Sequence, residues 1–434
     1  MEALQALRIG SPRGVLARGL GRSYGDAAQN AGGTVLRTVH LDTRLDLDAT
    51  TGRAWVSAGM SLGRLIEEAL PLGWLPAVNP GTQFVSVGGA VASDVHGKNH
   101  HRDGSFCAHV RAVELGLPNG ERVILGPEGD TADFFWATAG GMGLTGVILS
   151  AELQMQPVQT AKVRVALSRT RDLEHTMHCL SEADESAHYT VAWLDLLCAG
   201  SSRGRGVVSA GDHVRRADLA PERSGLSNSR GRRLPSVPAL PNRRGILTPG
   251  AMRLFNDLYY RAAPHQPSIR VEPVQRFFFP LDLVGDWNRL YGRAGMLQYQ
   301  FVIPDRAQGD LARMVDRLSA DGIPVYLAVL KRLGNACGPL GFPLRGWTLT
   351  MDIPACTPGL AEALDRLDQS VADAGGRVYL AKDARLRAAL LPTMYPRLEE
   401  WRAVRNTIDP EHTMRSDLDR RLSLIGAEAV RGDD

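Results

Sequence analysis

The sequence predicts an α+β protein of two domains, and three observations predict it. Its 434 residues exceed the usual span of one hydrophobic core. Short β-like runs separated by glycine-rich turns continue to about residue 155, after which the glycine density falls and longer strands and helices alternate. A chain 44% hydrophobic and 22% charged is ordinary for a globular protein and excludes both a coiled coil and wholesale disorder. The first domain is therefore placed at 1–155 and the second at 156–375.

In the first domain the expected strands are Val15-Leu16-Ala17, Thr34-Val35-Leu36, Ala54 to Ala58, Arg111 to Leu115 and Arg122 to Leu125. One helix, Ser61 to Leu70, interrupts them with Ser61 as N-cap. In the second, strands are expected near 162–167, 189–195, 297–303, 324–331 and 347–353, and helices near 171–182, 305–320, 358–374 and 396–405. Within it Gly211 to Pro249 is rich in Arg, Ser, Pro and Gly, with Arg215, Arg216, Arg223, Arg230, Arg232, Arg233, Arg243 and Arg244. Such a stretch buries too little apolar surface to order itself, and reads either as a flexible basic surface insertion or as a cationic lid over an anionic substrate.

A net charge of +3, from 50 basic and 47 acidic residues, gives no chain-wide nucleic-acid footprint. Five cysteines, with no CxxC pair and no zinc spacing, point to a reduced, cytoplasmic setting. The N-terminus lacks a signal-peptide pattern, and no run of about 18 apolar residues marks a spanning helix. The basic insertion would still suit a peripheral contact with anionic headgroups, at roughly 1 kcal/mol per cation.

Chemistry first shows in Arg18-Gly19-Leu20-Gly21-Arg22-Ser23-Tyr24-Gly25-Asp26. Only a chain without Cβ brings its N–H groups close to a pyrophosphate, yet such a loop by itself also reads as an ordinary turn. Its spacing is not that of the dinucleotide fingerprint, and no amphipathic helix follows Gly25, so a nicotinamide-type site is disfavoured. Pro80 to Ala90 and Ala139 to Ile148 add two more small-residue surfaces, and three in one domain suit a long, extended ligand. Between them Ser93 to His101 carries His96, Lys98, His100 and His101. The histidines invite a metal reading, but Gly97 and Asn99 disfavour a helix face and no metal is expected. His96 and Lys98 read better as donors and positive charge beside a redox cofactor or its substrate, or as satisfied structural residues.

At these residues the chain resembles the vanillyl-alcohol-oxidase superfamily, whose members carry a p-cresol-methylhydroxylase-type FAD domain. Within it the chain is similar to the decaprenylphosphoryl-β-D-ribose 2′-oxidase family. The similar blocks are Ala17 to Asn30, Val87 to Ala90, His96 to His101, Gly140 to Gly146, Leu297 to Pro304, Ala381-Lys382-Asp383 and Met394 to Arg397, spread over nearly the whole chain. The resemblance implies an FAD domain, a substrate domain on an antiparallel sheet, and a C-terminal segment, 376–434, returning to the FAD domain. Many superfamily members attach FAD through a histidine just before the serine of the first loop. Arg22 stands there, so FAD should be non-covalent.

By the same resemblance FAD lies against Ala17, Arg18, Gly19, Leu20, Gly21, Arg22, Ser23, Tyr24 and Gly25, and against Ser86, Val87, Gly88 and Gly89, with Gly81, Ser93, His96, Ile148 and Tyr379 lining it. Catalytic roles fall to Lys382, Gln300, Lys331, His96 and Tyr24, with Lys382 acting either as base or as cation. Gln298, Trp193, Arg205, Phe278, Thr348, Thr350 and Lys98 are expected to hold the substrate. The family oxidises the C2 hydroxyl of a polyprenyl-phosphate riboside to a keto sugar, the first half of an epimerisation in arabinan and cell-wall synthesis, completed by a short-chain NAD(P)H-dependent reductase. Two departures bear on the substrate. Thr350 replaces the pocket cysteine of the mycobacterial form, and Phe278-Phe279-Pro280 replaces its Tyr-His-Pro lid segment. They keep open oxidation of a soluble sugar, nucleoside or aminocyclitol; a catalytically silent partner of a reductase is disfavoured by the retained Lys382, Gln300 and His96.

Overall fold

A computed structural model describes residues 11–220, 225–226, 236–238, 242 and 245–426. The chain opens on a parallel pair, β1 (Val15–Arg18) and β2 (Thr34–Arg37), with the glycine loop strung between them. Next comes a six-stranded sheet of β3 (Leu45–Leu47), β4 (Arg53–Ser57), β5 (Trp74–Pro76), β6 (Val110–Gly116), β7 (Arg122–Leu125) and β8 (Val147–Pro157), in the order β3-β4-β8-β6-β7 with β5 also paired to β8. The helix Leu62–Ala69 covers it: Ser61 Oγ accepts from Arg64 N, and Leu62, Leu65, Ile66 and Ala69 form one buried stripe.

The larger, eight-stranded sheet contains β9 (Lys162–Thr170), β10 (Tyr189–Asp195), β11 (Arg205–His213), β12 (Ser268–Pro273), β13 (Met296–Pro304), β14 (Leu327–Leu333), β15 (Gly346–Pro354) and β16 (Arg377–Val378). Its order is β12-β9-β11-β10-β14-β15-β13-β16, antiparallel throughout. One face packs on helices Leu173–Ser186, Gln308–Ala320 and Leu360–Asp373, whose Leu180, Leu311 and Leu364 are fully buried. The C-terminal residues come back to β1: Val15 N donates to Thr413 O and Arg415 N to Val15 O, while Arg421 bridges Asp26 and Asp383.

The fold is thus α+β, with mixed helices and antiparallel sheets. The sequence reading missed β3, β5, β8, β11, β12 and β16, and the helices Val87–Ala92, Ala132–Thr138 and Pro249–Ala262. Phe135 and Ala137 are wholly buried, so the helix from 132 lacks the alternating exposed face that periodicity needs. The basic insertion was drawn too wide. Gly211–His213 completes β11, and Thr248 Oγ1 caps the helix that begins at Pro249. Arg215 and Arg216 are exposed, whereas Arg223, Arg230, Arg232, Arg233, Arg243 and Arg244 lie outside the described residues.

Candidate active site

The loop after β1 turns back on itself because Gly21 adopts φ +65°, a conformation that side chains other than glycine resist. Gly19 must also lack a side chain, since a Cβ there would fall 2.0 Å from Ser86 Oγ. Ser86 in turn caps Val87–Ala92 by accepting from Gly89 N. Together Ala17, Arg18, Gly19, Leu20, Gly21, Arg22, Ser23, Ser86, Gly89, Ser93 and Tyr379 line a narrow cavity of ≈130 Å³. Met142 and Gly143 also line it, and a Cβ on Gly143 would meet nothing within 4 Å. Gly25 instead packs on the Asp383 carbonyl, Gly88 on Ala58, and Val87 and Ile148 are buried among core side chains.

A second cavity of ≈560 Å³ adjoins the first, the two sharing Arg22, Val95 and Tyr379. Its floor is one face of the large sheet. Antiparallel register sets Gln298 beside Asp352 and Leu327, then Gln300 beside Thr350 and Val329, then Val302 beside Thr348 and Lys331. Side chains alternate along a strand, so these residues share a face. Gly81, Tyr24, His96 and Lys382 complete the wall, and Tyr24 is 36% exposed.

His96 is delivered by a tight turn at Asp94, whose φ is +40°. The buried Asp94 carboxylate holds that turn by accepting from Ser105 Oγ at 2.7 Å and Cys107 N at 2.9 Å. His96 Nε2 lies 2.9 Å from Gln300 Nε2, and Nδ1 lies 3.1 Å from Lys331 Nζ. The polarity of this chain is fixed at its far end. Thr348 donates its only hydroxyl proton to Phe301 O at 2.8 Å, so Gln300 Nε2, 3.0 Å away, donates to Thr348 Oγ1 and, with its second hydrogen, to His96 Nε2. A neutral His96 then carries its proton on Nδ1 and presents it to Lys331.

Electrostatics agree with that polarity. Burial pushes His96 well below its usual range, and the Lys331 and Lys382 charges add to the effect. Burial and the nearby Lys382 and Lys98 bring Lys331 down to about 7. Burial lowers Lys382 only to about 8, because Asp352 opposes it. Asp352 is raised to about 6 by burial, against a 2.6 Å hydrogen bond from Gln298 Nε2 and the Lys382 charge.

Five residues expected at the substrate do not line this cavity. Trp193 packs edge-on against Tyr259, at 4.8 Å between ring centres. Arg205 is engaged by Asp195 at 2.9 Å and Asp257 at 3.2 Å. Phe278 is buried against Tyr189, Phe277 and Phe279, in the core and not in a lid. Lys98 donates to the Phe277 carbonyl and lies 4.1 Å over that ring, and Thr348 sits one layer behind Gln300. His100 accepts from Gly334 N at 2.9 Å, and among the described residues no cluster of three or more His, Cys, Asp or Glu could hold a metal. The sequence reading overlooked Asp352, although the alternation Thr348, Thr350, Asp352 placed it on the same face as two residues it had chosen.

Residues 6–126 match the family described as FAD binding domain. Over 419 residues, 95% of this chain and 90% of the relative, the sequence is 40% identical to decaprenylphosphoryl-β-D-ribose oxidase of Mycolicibacterium smegmatis. An uncharacterised Streptomyces coelicolor protein is 40% identical over 375 residues, covering 84% of this chain and 100% of its own length. Cytokinin dehydrogenase 4 of Oryza sativa subsp. japonica matches at 28% over 159 residues, 34% of this chain and 28% of that enzyme.

Proposed function

The chain belongs to the decaprenylphosphoryl-β-D-ribose oxidase family of FAD oxidoreductases, and from that membership we propose that it oxidises the C2 hydroxyl of a ribosyl group carried on a polyprenyl phosphate. The observation that carries the reading is the meeting of the glycine cradle with a cavity lined by two lysines, Lys331 from the sheet face and Lys382 from the turn Leu380–Lys382. The cradle fits FAD: its backbone is stripped of side chains at Gly19 and Gly21, and the space beside Gly143 is open. The N–H groups of Gly19 to Ser23 would hold the pyrophosphate without a covalent bond, since Arg22 offers no imidazole, while those of Val87, Gly88 and Gly89 are spent on Met60 O, Ala58 O and Ser86 Oγ and fix the opposite wall. Bound there, FAD supplies the acceptor for the hydride lost from the carbinol carbon.

The side chains divide the remaining work. Lys331, held neutral at Nζ, accepts the hydroxyl proton; the incoming hydroxyl replaces His96 as donor to the amine lone pair. Lys382, which Asp352 keeps cationic, stabilises the oxygen as negative charge develops on it. Until the substrate enters, Gln300, positioned by Thr348, and His96 keep Lys331 oriented, and Thr350 and Tyr24 border the sugar. In domain terms, 1–155 supplies the cradle, 156–375 the sheet face, and 376–434 brings Lys382 and Tyr379 between them. A lipid-linked substrate would bring the protein to a membrane by peripheral contact, aided by Arg215 and Arg216; none of the described helices is long and apolar enough to cross one. A short-chain NAD(P)H-dependent reductase would consume the keto product.

Anaerobic mixing of the holoenzyme with a polyprenylphosphoryl riboside is expected to bleach the flavin absorbance. Bleaching by soluble ribosides or aminocyclitols, with none by the lipid-linked sugar, would move the substrate to the soluble class.

A further inference from the structure

Three buried acceptor oxygens on the cavity floor, Gln298 Oε1, Gln300 Oε1 and Asp352 Oδ2, have no hydrogen-bond donor among the described residues. Their orientations are chemically fixed. Gln298 must turn its nitrogen to the Asp352 carboxylate, 2.6 Å away, which leaves its oxygen free. Gln300 must turn its nitrogen to Thr348, whose own proton goes to Phe301 O. All three side chains are at least nine-tenths buried and line the same cavity. Buried acceptors without donors are costly, and in native structures such groups call for a partner.

Asp352 carries the most consequence, because Lys382 lines the same cavity. The two groups sense each other's charge, yet no ion pair joins them among the described residues. An acceptor without a donor, in a cavity that also holds a cationic donor, suits a polyhydroxylated ligand: one hydroxyl gives its proton to the carboxylate while another oxygen accepts from the ammonium.

We propose that Asp352, steadied by Gln298, is a substrate-binding residue that accepts a hydrogen bond from a ring hydroxyl other than the one oxidised, so that the cavity selects polyhydroxylated sugars over simple secondary alcohols. This deepens the substrate reading above and rests on it. Gln298 gives the site a sharp test. Asp352→Asn keeps the shape of the side chain and removes its charge: with the amide oxygen on Gln298 Nε2 it offers a donor where the acceptor had been, and with Gln298 turned over it offers at most a neutral acceptor.

The experiment measures anaerobic flavin reduction of wild-type and D352N holoenzymes by a short-chain prenylphosphoryl riboside and by its 3-deoxy and 5-deoxy counterparts. A hydrogen bond to a charged group is worth about 1.5–3 kcal/mol, so the wild type should prefer the full sugar to one deoxy sugar by roughly 10- to 150-fold. In D352N that preference should fall to within about threefold, mainly through KM, with FAD content unchanged. A wild type indifferent to both deletions, or a D352N enzyme that keeps the wild-type preference, overturns the proposal. If no phosphoryl riboside bleaches the wild type, the substrate reading fails, and Asp352 is then judged on whichever soluble sugar does bleach it and on the monodeoxy forms of that sugar. A wild type bleached by no sugar overturns both.

Discussion

The glycine cradle and the sheet-face cavity share a wall at Arg22, Val95 and Tyr379, yet they are made in opposite ways. The cradle is backbone: Gly19, Gly21 and Gly143 contribute by what they lack, and most of its lining comes from short continuous segments. The cavity floor is side chain: Gln300, Lys331, Thr350 and Asp352 come from three strands and meet only through antiparallel register. A cradle of this kind should tolerate changes in chemistry and fail on added volume. The floor should tolerate volume and fail on changes in chemistry.

The largest effect is expected from Lys331→Met, which keeps the bulk of the stem and removes the amine. Loss of a positioned general base typically costs about 10²- to 10⁴-fold, so the rate of flavin reduction should drop by about a thousandfold while FAD stoichiometry stays at the wild-type value. Reduction within tenfold of wild type would move the base elsewhere on the sheet face. Gly19→Ala is the converse. Its Cβ falls 2.0 Å from Ser86 Oγ and displaces the hydroxyl from Gly89 N. Losing two or so backbone contacts, at about 1–1.5 kcal/mol each, predicts FAD binding weakened by roughly 100-fold in a flavin-fluorescence titration. Saturating FAD should restore turnover to G19A and do nothing for K331M.

The same contrast explains what was legible in the sequence. The cradle announces itself because glycine needs arise within a few consecutive residues, and Arg22 inside that run carries the covalent-versus-dissociable distinction. Ser61 as a cap and the apolar stripe after it were readable for the same local reason. The floor is not local. Gln298 and Gln300 could be paired by their i, i+2 spacing, but nothing in the chain says that β14 and β15 lie beside β13. Lys331 and Lys382 therefore entered only through family resemblance. That resemblance also overreached, because Trp193, Arg205 and Phe278 sit in matching segments but face Tyr259, Asp195 and the aromatic core.

Proton inventory sharpens the comparison, because only the floor titrates. Lys331 accepts a proton only when neutral, so below about 7 its competent fraction falls tenfold per pH unit. Lys382 assists only while cationic, so activity should also fall above about 8. The pH profile of kcat/KM is expected to be a narrow bell between these values, while FAD affinity stays flat across them. In Lys331→Met the acid limb of the residual rate should move from about 7 down to about 6, where Asp352 takes up its proton. An acid limb that stays near 7 would assign it to another group.

A smaller effect is expected one layer back. Thr348→Val removes the acceptor that aims Gln300 Nε2 at His96 without touching Lys331 itself. Flavin reduction should slow by about fivefold, in line with one neutral hydrogen bond of about 1 kcal/mol, and Thr348→Ser should recover it. Because the lost contact orients Lys331, the acid limb should also move. A rate loss with an unmoved limb would mean that Thr348 only packs.

The smallest effect on turnover belongs to Arg205, and it separates sequence match from site membership. Its guanidinium pairs with Asp195 and Asp257 and lies 4.4 Å over the Tyr260 ring, away from both cavities. Among the described residues, Arg205→Met leaves the buried Asp195 carboxylate with Asn256 Nδ2 at 3.0 Å as its remaining side-chain donor. Stranding a buried charge is costly, by about 3 kcal/mol in comparable pairs, so the melting temperature should drop while KM for the riboside stays within twofold. A raised KM at unchanged stability would return Arg205 to the substrate, and would show that the anionic end of the ligand reaches beyond the sheet face to the helix Pro249–Ala262.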